Sequence, residues 1–240
     1  MVNKIIRSDG NVIYDDVVTA ILVDGGFYRR RAFSAFGDIS AKERANELYS
    51  YCKRHLCEMV DGNLHVHQLY RILYYDCFPS EKVIYNPITK TNVNLKDSDT
   101  YKWTNEFFSN LMSKRKLALR LGRLADSQAQ FVLSNKALKK LCNGTMSVDD
   151  LKETDVSLSM QQKGVDMKIG LDIASLTHNK QVNQIVLISG DSDFVPAAKF
   201  ARRAGIDFIL DPLFAHVKPD LLEHIDGLRT CDSLFDKSNK

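Results

Sequence analysis

The chain has 240 residues, 44% of them hydrophobic and 26% charged, with a formal net charge of +3. That composition is ordinary for a globular chain and excludes disorder and fibre formation; the charge marks a nucleic-acid binder only if Lys and Arg cluster locally. No apolar run reaches the roughly 20 residues of a membrane span, and the opening "MVNKIIRSDGNVIYDD" lacks the apolar centre of a secretory signal, so a cytoplasmic protein with no membrane contact is expected.

Residues 1–17 read as an N-terminal extension. "AILVD" (20–24) is a short continuous apolar run, as a buried strand requires, and 41–56 places Ala45, Leu48, Cys52 and Leu56 at helical spacing. "LYRILYYD" (69–76) predicts a second buried strand, 80–99 a loop, and 99–116 a helix. "LALRLGRL" and "QAQFVLS" alternate as an antiparallel pair at a sheet edge or on a flap would. Beyond them lie a helix at 165–179, the strand "QIVLISGD", the helix "FVPAAKFARRAG" stopped by Gly205, and the strand "IDFILD" at 206–211. Strands alternating with helices predict an α/β chain with a mainly parallel sheet. With no repeat and no linker, one domain over 18–228 is expected, carrying an insertion at about 80–150 and followed by a tail, 229–240.

Five cysteines, an odd count without a paired C-x-x-C, argue for reduced thiols. Cys52 and His55 share a helix face near Cys57, His65 and His67, but the spacing matches no common zinc finger. Ordinary core and polar roles are expected there.

Four candidate strands end in aspartate, at Asp24, Asp76, Asp191 and Asp211. In an open parallel sheet the carboxyl ends of the strands face the functional crevice, so some of these acids should meet in space. Asp191 and Asp193 stand two apart behind Gly190, where like charges raise each other's pKa unless a cation or a helix N-terminus lies between them. Asp166 opens the helix after Gly164. Each acid also has a plain structural role open to it: Asp193 as an N-cap, Asp166 as a first-turn acid, Asp172 paired with Lys168, Asp76 and Asp211 closing strands.

"ILVDGGFY", "RILYYD", "QKGVDMKIGLDIASL" and "VLISGDSDFVPAAKFARRAGIDFIL", in this order, resemble the NYN domain family, in particular its LabA-like (DUF88) branch, related to the PIN-like nucleases. The resemblance spans roughly 18–228, more loosely over 80–150. It implies a PIN-like three-layer α/β/α sandwich whose acidic cluster holds Mg²⁺ or Mn²⁺ and cuts RNA. Carried over by position, the catalytic and metal-holding acids are Asp24, Asp166, Asp191 and Asp193, with Asp172 ranked lower. Phe27 stands where many members have Asn, which removes a polar contact to metal-bound water or phosphate.

Phosphodiester hydrolysis needs a nucleophilic water and cover for charge on the phosphate; hard divalent ions on carboxylates supply both. Ser189 and Ser192 can position water or phosphate. Arg29, Arg30, Arg31, Lys163, Lys199, Arg202 and Arg203 flank the acidic blocks as candidate phosphate contacts, against a plain reading as solvated helix face. Lys114, Arg115, Lys116, Arg120 and Arg123 suit a basic flap, and Tyr28 and Trp103 are candidate base-stacking residues. The leading expectation is an endoribonuclease acting on single-stranded or structured RNA, with DNA as the other substrate. The alternative is a non-catalytic member binding nucleic acid, a protein partner or a second copy in regulation. A phosphatase of the haloacid dehalogenase type is disfavoured because Gly26 stands where its second acid would be.

Overall fold

The computed structural model describes residues 12–125 and 129–236. The first 11 residues of the expected N-terminal extension, and Gln128 of the expected strand "QAQFVLS", lie outside them. Strand β1 (Val12–Asp24) leads into helix α1 (Gly25–Phe36), and α2 (Ala41–Arg54) follows behind a capping box in which Ser40 and Glu43 satisfy each other's backbone N–H groups. A hairpin joins β2 (Cys57–Val60) to the long β3 (Asn63–Cys77). The segment expected as a loop at 80–99 instead holds a small hairpin, β4 (Val83–Asn86) with β5 (Thr91–Asn94), before α3 (Asp99–Met112).

The next strands correct the expected antiparallel pair. β6 (Leu117–Leu124) runs parallel to β3 inside the main sheet, and β7 (Gln130–Leu133) pairs antiparallel with β8 (Val156–Ser159), with α4 (Asn135–Cys142) between them. Period-two alternation says only that one face is buried; it does not name the partner strand. The basic flap is corrected with it. Arg120 pairs with Asp172, the Lys116 ammonium bonds the Leu69 carbonyl, and Lys114 bonds Asn46, so these cations brace the sheet and its helices.

The short β9 (Gln162–Lys163) precedes α5 (Val165–His178), β10 (Gln184–Ile188), α6 (Val195–Arg203), β11 (Asp207–Asp211), α7 (Pro219–Leu222) and β12 (Gly227–Leu228). Among the described residues the sheet order is β12-β11-β10-β1-β3-β6-β9, parallel from β12 to β6, with β9 antiparallel at the edge and β2 antiparallel to β3.

Alternation along the central strands builds the three layers. Ala20, Leu22, Leu73, Tyr75, Ile185, Leu187, Phe208 and Leu210 pack under α5 and α6. Ile21, Val23, Ile72, Tyr74, Val186 and Ile188 pack under α1, α2 and α3 on the opposite face. Each fully buried aliphatic side chain is worth about 1.5–3 kcal/mol, which is why the pattern fixes the register. The chain after β12 returns to the second core: Phe235 is buried there, edge-on to Phe36 and Tyr51. Among the described residues no helix is long and apolar enough to cross a membrane.

Candidate active site

The parallel register sets Val23 beside Ile188 and Asp24 beside Tyr75, so β3, β1 and β10 end in one row. β11 joins that row, because Ile188 pairs with Asp211. The strand-end acids therefore line up as Asp76, Asp24, Asp191 and Asp211 along the carboxyl edge.

The two outer acids are fully engaged. Asp76 is buried, lies 3.0 Å from the Arg29 guanidinium, and accepts from Tyr74, Gln162 and the Cys77 backbone. Asp211 is buried as well and accepts from Tyr51, from Leu213 N–H at 2.9 Å and from Thr230 at 2.7 Å, with His55 Nε2 at 2.9 Å. His55 thus belongs to this cluster, and Cys52 is packed in the core while Cys57 is exposed on β2.

The two inner acids face the crevice. Asp24 caps α1, its Oδ1 accepting from Phe27 N–H at 3.0 Å, while Ser189 Oγ donates to its Oδ2 at 3.3 Å. The Ser189 hydroxyl also accepts from Asp191 N–H at 3.3 Å, tying the turn after β10 to the end of β1. Asp191, rather than the expected Asp193, is the cap. It accepts from Asp193 N–H at 3.0 Å and starts the 3₁₀ turn 192–194 that feeds α6. That frees the Asp193 carboxylate, which is exposed.

Asp166 enters from the first turn of α5. Burial lifts the Asp24 carboxyl above its ordinary range, and the charge of Asp166 lifts it further, against bonds from Phe27 and Ser189 and the charge of Arg30. Desolvation also raises Asp166, with Asp191 and Asp193 adding to it. Carboxylates from three separate segments thus act on one another across one crevice. Asp172 is directed elsewhere: it accepts from Tyr75 at 2.8 Å and pairs with Arg120 at 3.1 Å, not with Lys168.

The flanking cations divide by position. Arg29 is committed to Asp76, and Arg31 donates to the carbonyls of Leu213 and Phe235, locking the C-terminal segment. Arg30 is exposed and stays near Asp24. Lys163 is exposed on β9, just before α5. Lys199, Arg202 and Arg203 line a separate cavity with Gly205 and Asp207, at the amino end of β11, and Arg202 is paired there with Asp226. Tyr28 is fully buried with its hydroxyl on Glu47, so it presents no face for a base.

Two residues at the crevice were not singled out from sequence. Lys218 donates to Ser192 Oγ at 3.1 Å, beside Asp193. Gln162 donates to Asp76 at 3.2 Å, which leaves its Oε1 within 3.5 Å of the space above Gly26, where Asp24 Oδ1 also lies within 3.6 Å. Neither carries a local signal, because each reaches the crevice only through sheet pairing or a loop.

An all-oxygen donor set in which neighbouring acids help to lift Asp24 and Asp166 suits a hard divalent cation. Among the described residues no three His, Cys, Asp or Glu side chains already stand together as a closed metal cage.

A mainly parallel three-layer sheet with open acids at its carboxyl edge defines a PIN-like nuclease architecture. The family model described as the NYN domain matches residues 98–218, and the chain belongs to that family, within the PIN-like nuclease superfamily. The match takes in Asp166, Asp191 and Asp193; Asp24 lies before it and is brought to them by the pairing of β1 with β10. No curated protein sequence matches the chain. Among solved structures it is similar to a protein of unknown function from Vibrio parahaemolyticus, at 12% identity and a TM-score of 0.46, over 96% of this chain and 99% of that one.

Proposed function

We propose that the chain is a divalent-metal-dependent endoribonuclease of the LabA-like branch, with Mg²⁺ or Mn²⁺ held by Asp24, Asp166, Asp191 and Asp193. The observation that carries this is that desolvation and neighbouring acids lift the carboxyls of Asp24 and Asp166, with Asp191 and Asp193 beside Asp166, at a sheet edge where Asp76 and Asp211 are fully paired. Such an ion, when bound, supplies an activated water and neutralises charge on the phosphate. The chain's own groups do the positioning. Ser189 fixes Asp24 relative to Asp191, the α1 cap fixes the Asp24 rotamer, and Arg30 and Lys218 offer cations to phosphate at either side of the acids. Lys163 stands at the rim, and Ser192 is held by Lys218.

The alternative, a non-catalytic regulatory binder, draws on one observation: Phe27 presents an aromatic ring, not a polar amide, against Gly190. Incubation of purified protein with labelled single-stranded RNA and DNA, with Mn²⁺, Mg²⁺ or chelator, decides between them. Metal-dependent RNA fragments are expected. RNA binding with no product under any divalent ion would overturn the nuclease reading in favour of the binder.

A further inference from the structure

Arg30 belongs to two places at once. Its guanidinium Nη1 stands 3.8 Å from where a Cβ on Gly26 would lie, close to Asp24, and the same side chain lines a groove of about 640 Å³ between α1 and the start of α3. Arg30 is thus the residue shared by the groove and the carboxylate crevice.

Its other walls are aromatic. Phe33 is 61% exposed and lines the groove. Trp103 faces the groove with its indole fixed: it stacks on Phe107 at 5.1 Å and 15°, and its N–H donates to the Ile39 carbonyl at 3.1 Å. Arg29 and Arg44 also line the groove but are spent, Arg29 on Asp76 and Arg44 on Glu47 and the Gly37 carbonyl. Asp38 and Asp99 also line the groove, so its interior suits a neutral base and not a phosphate, and Arg30 is the cation left to meet the phosphate on the crevice side.

We propose that this groove binds an unpaired base of single-stranded RNA next to the phosphate that Arg30 meets at the crevice. The base stacks on Phe33 and Trp103, and Arg30 holds the intervening phosphate. The proposal rests on the nucleic-acid reading of the crevice. An exposed ring and a fixed indole beside a cation are what a sequence-tolerant single-strand site requires, since every base has a π face. A duplex buries those faces in its own stack and cannot offer them.

Trp103 is the chain's single tryptophan, so its emission, excited at the red edge where the nine tyrosines do not absorb, reports the groove. With chelator present to prevent cleavage, a labelled oligoribonucleotide is titrated while its anisotropy and the tryptophan emission are both followed. Single-stranded RNA should quench the emission along its binding curve, and a preformed duplex of the same sequence should not. Phe33→Ala, at an exposed position, should weaken single-strand binding about tenfold, with Phe33→Tyr restoring it. Binding without quenching, unaffected by Phe33→Ala, overturns the groove and leaves the nuclease reading standing. Failure of any RNA to bind, both with chelator and with Ca²⁺ as a divalent ion that fills the carboxylates without supporting cleavage, overturns both. Equal quenching by duplex, or quenching by single-stranded DNA alone, overturns the assignment to unpaired RNA.

Discussion

The Phe27 ring lies over the backbone of Gly190 so closely that a Cβ on Gly190 would fall 2.7 Å from the ring's Cε2. The bare glycine and the aromatic ring are therefore a matched pair, and they set the path of the turn that carries Asp191. Gly190→Ala should destabilise by about 1–3 kcal/mol through overpacking, and the same change in a Phe27→Asn background should cost measurably less. A double-mutant cycle by denaturant unfolding checks this; additive effects would show that the contact does not govern the turn.

Asp24 and Asp166 hold their protons to higher pH in the folded chain than an unfolded carboxyl does, chiefly through desolvation. The folded state then binds more protons, so their contribution to stability falls as pH rises from about 4 through the raised values, and they weigh against the fold at neutral pH. Asp24→Asn keeps an N-cap oxygen. It should melt no lower than wild type at neutral pH with chelator, lose cleavage, and retain or improve RNA binding. Mg²⁺ should raise the wild-type melting temperature and leave that of Asp24→Asn nearly unchanged. Thermal melts across pH, with and without metal, read both effects.

Asp211 closes β11 and Asp191 lies in the turn just after its neighbour β10, yet the two should behave oppositely. Asp211→Ala removes the acceptor shared by Tyr51, His55, Leu213 and Thr230 in a buried cluster and should cost about 3–5 kcal/mol. Asp191→Asn should abolish cleavage while holding or raising the melting temperature. Loss of fold in Asp191→Asn would make that residue structural.

Three consecutive arginines should separate in the same way. Arg31→Ala should lower stability by freeing the carbonyls of Leu213 and Phe235, with little change in RNA affinity. Arg30→Gln should leave the melt alone, weaken binding, and reduce the salt slope by about one. Arg29→Ala should destabilise by stranding buried Asp76. Melts and salt titrations of the three variants together provide the check.

The layer order and most of the parallel strands were legible in the sequence, because runs such as "AILVD" and "QIVLI" are buried on both faces and flanked by helical periodicity. The ends of those strands were legible for the same reason, and with them the aspartates that mark the edge. What alternation could not give was the partner: "LALRLGRL" joins β3 in the main sheet, since only packing on both faces chooses between edge and interior. Nor could sequence separate one strand-end aspartate from another. Asp76 is paired with Arg29 and Asp211 is held by the Tyr51–His55–Thr230 cluster, all from distant segments, while the only side chain from a distant segment on Asp24 is the Ser189 hydroxyl, among the described residues. A carboxylate's role depends on what stands within hydrogen-bond reach of it, and that is decided only when the chain has closed into its tertiary structure.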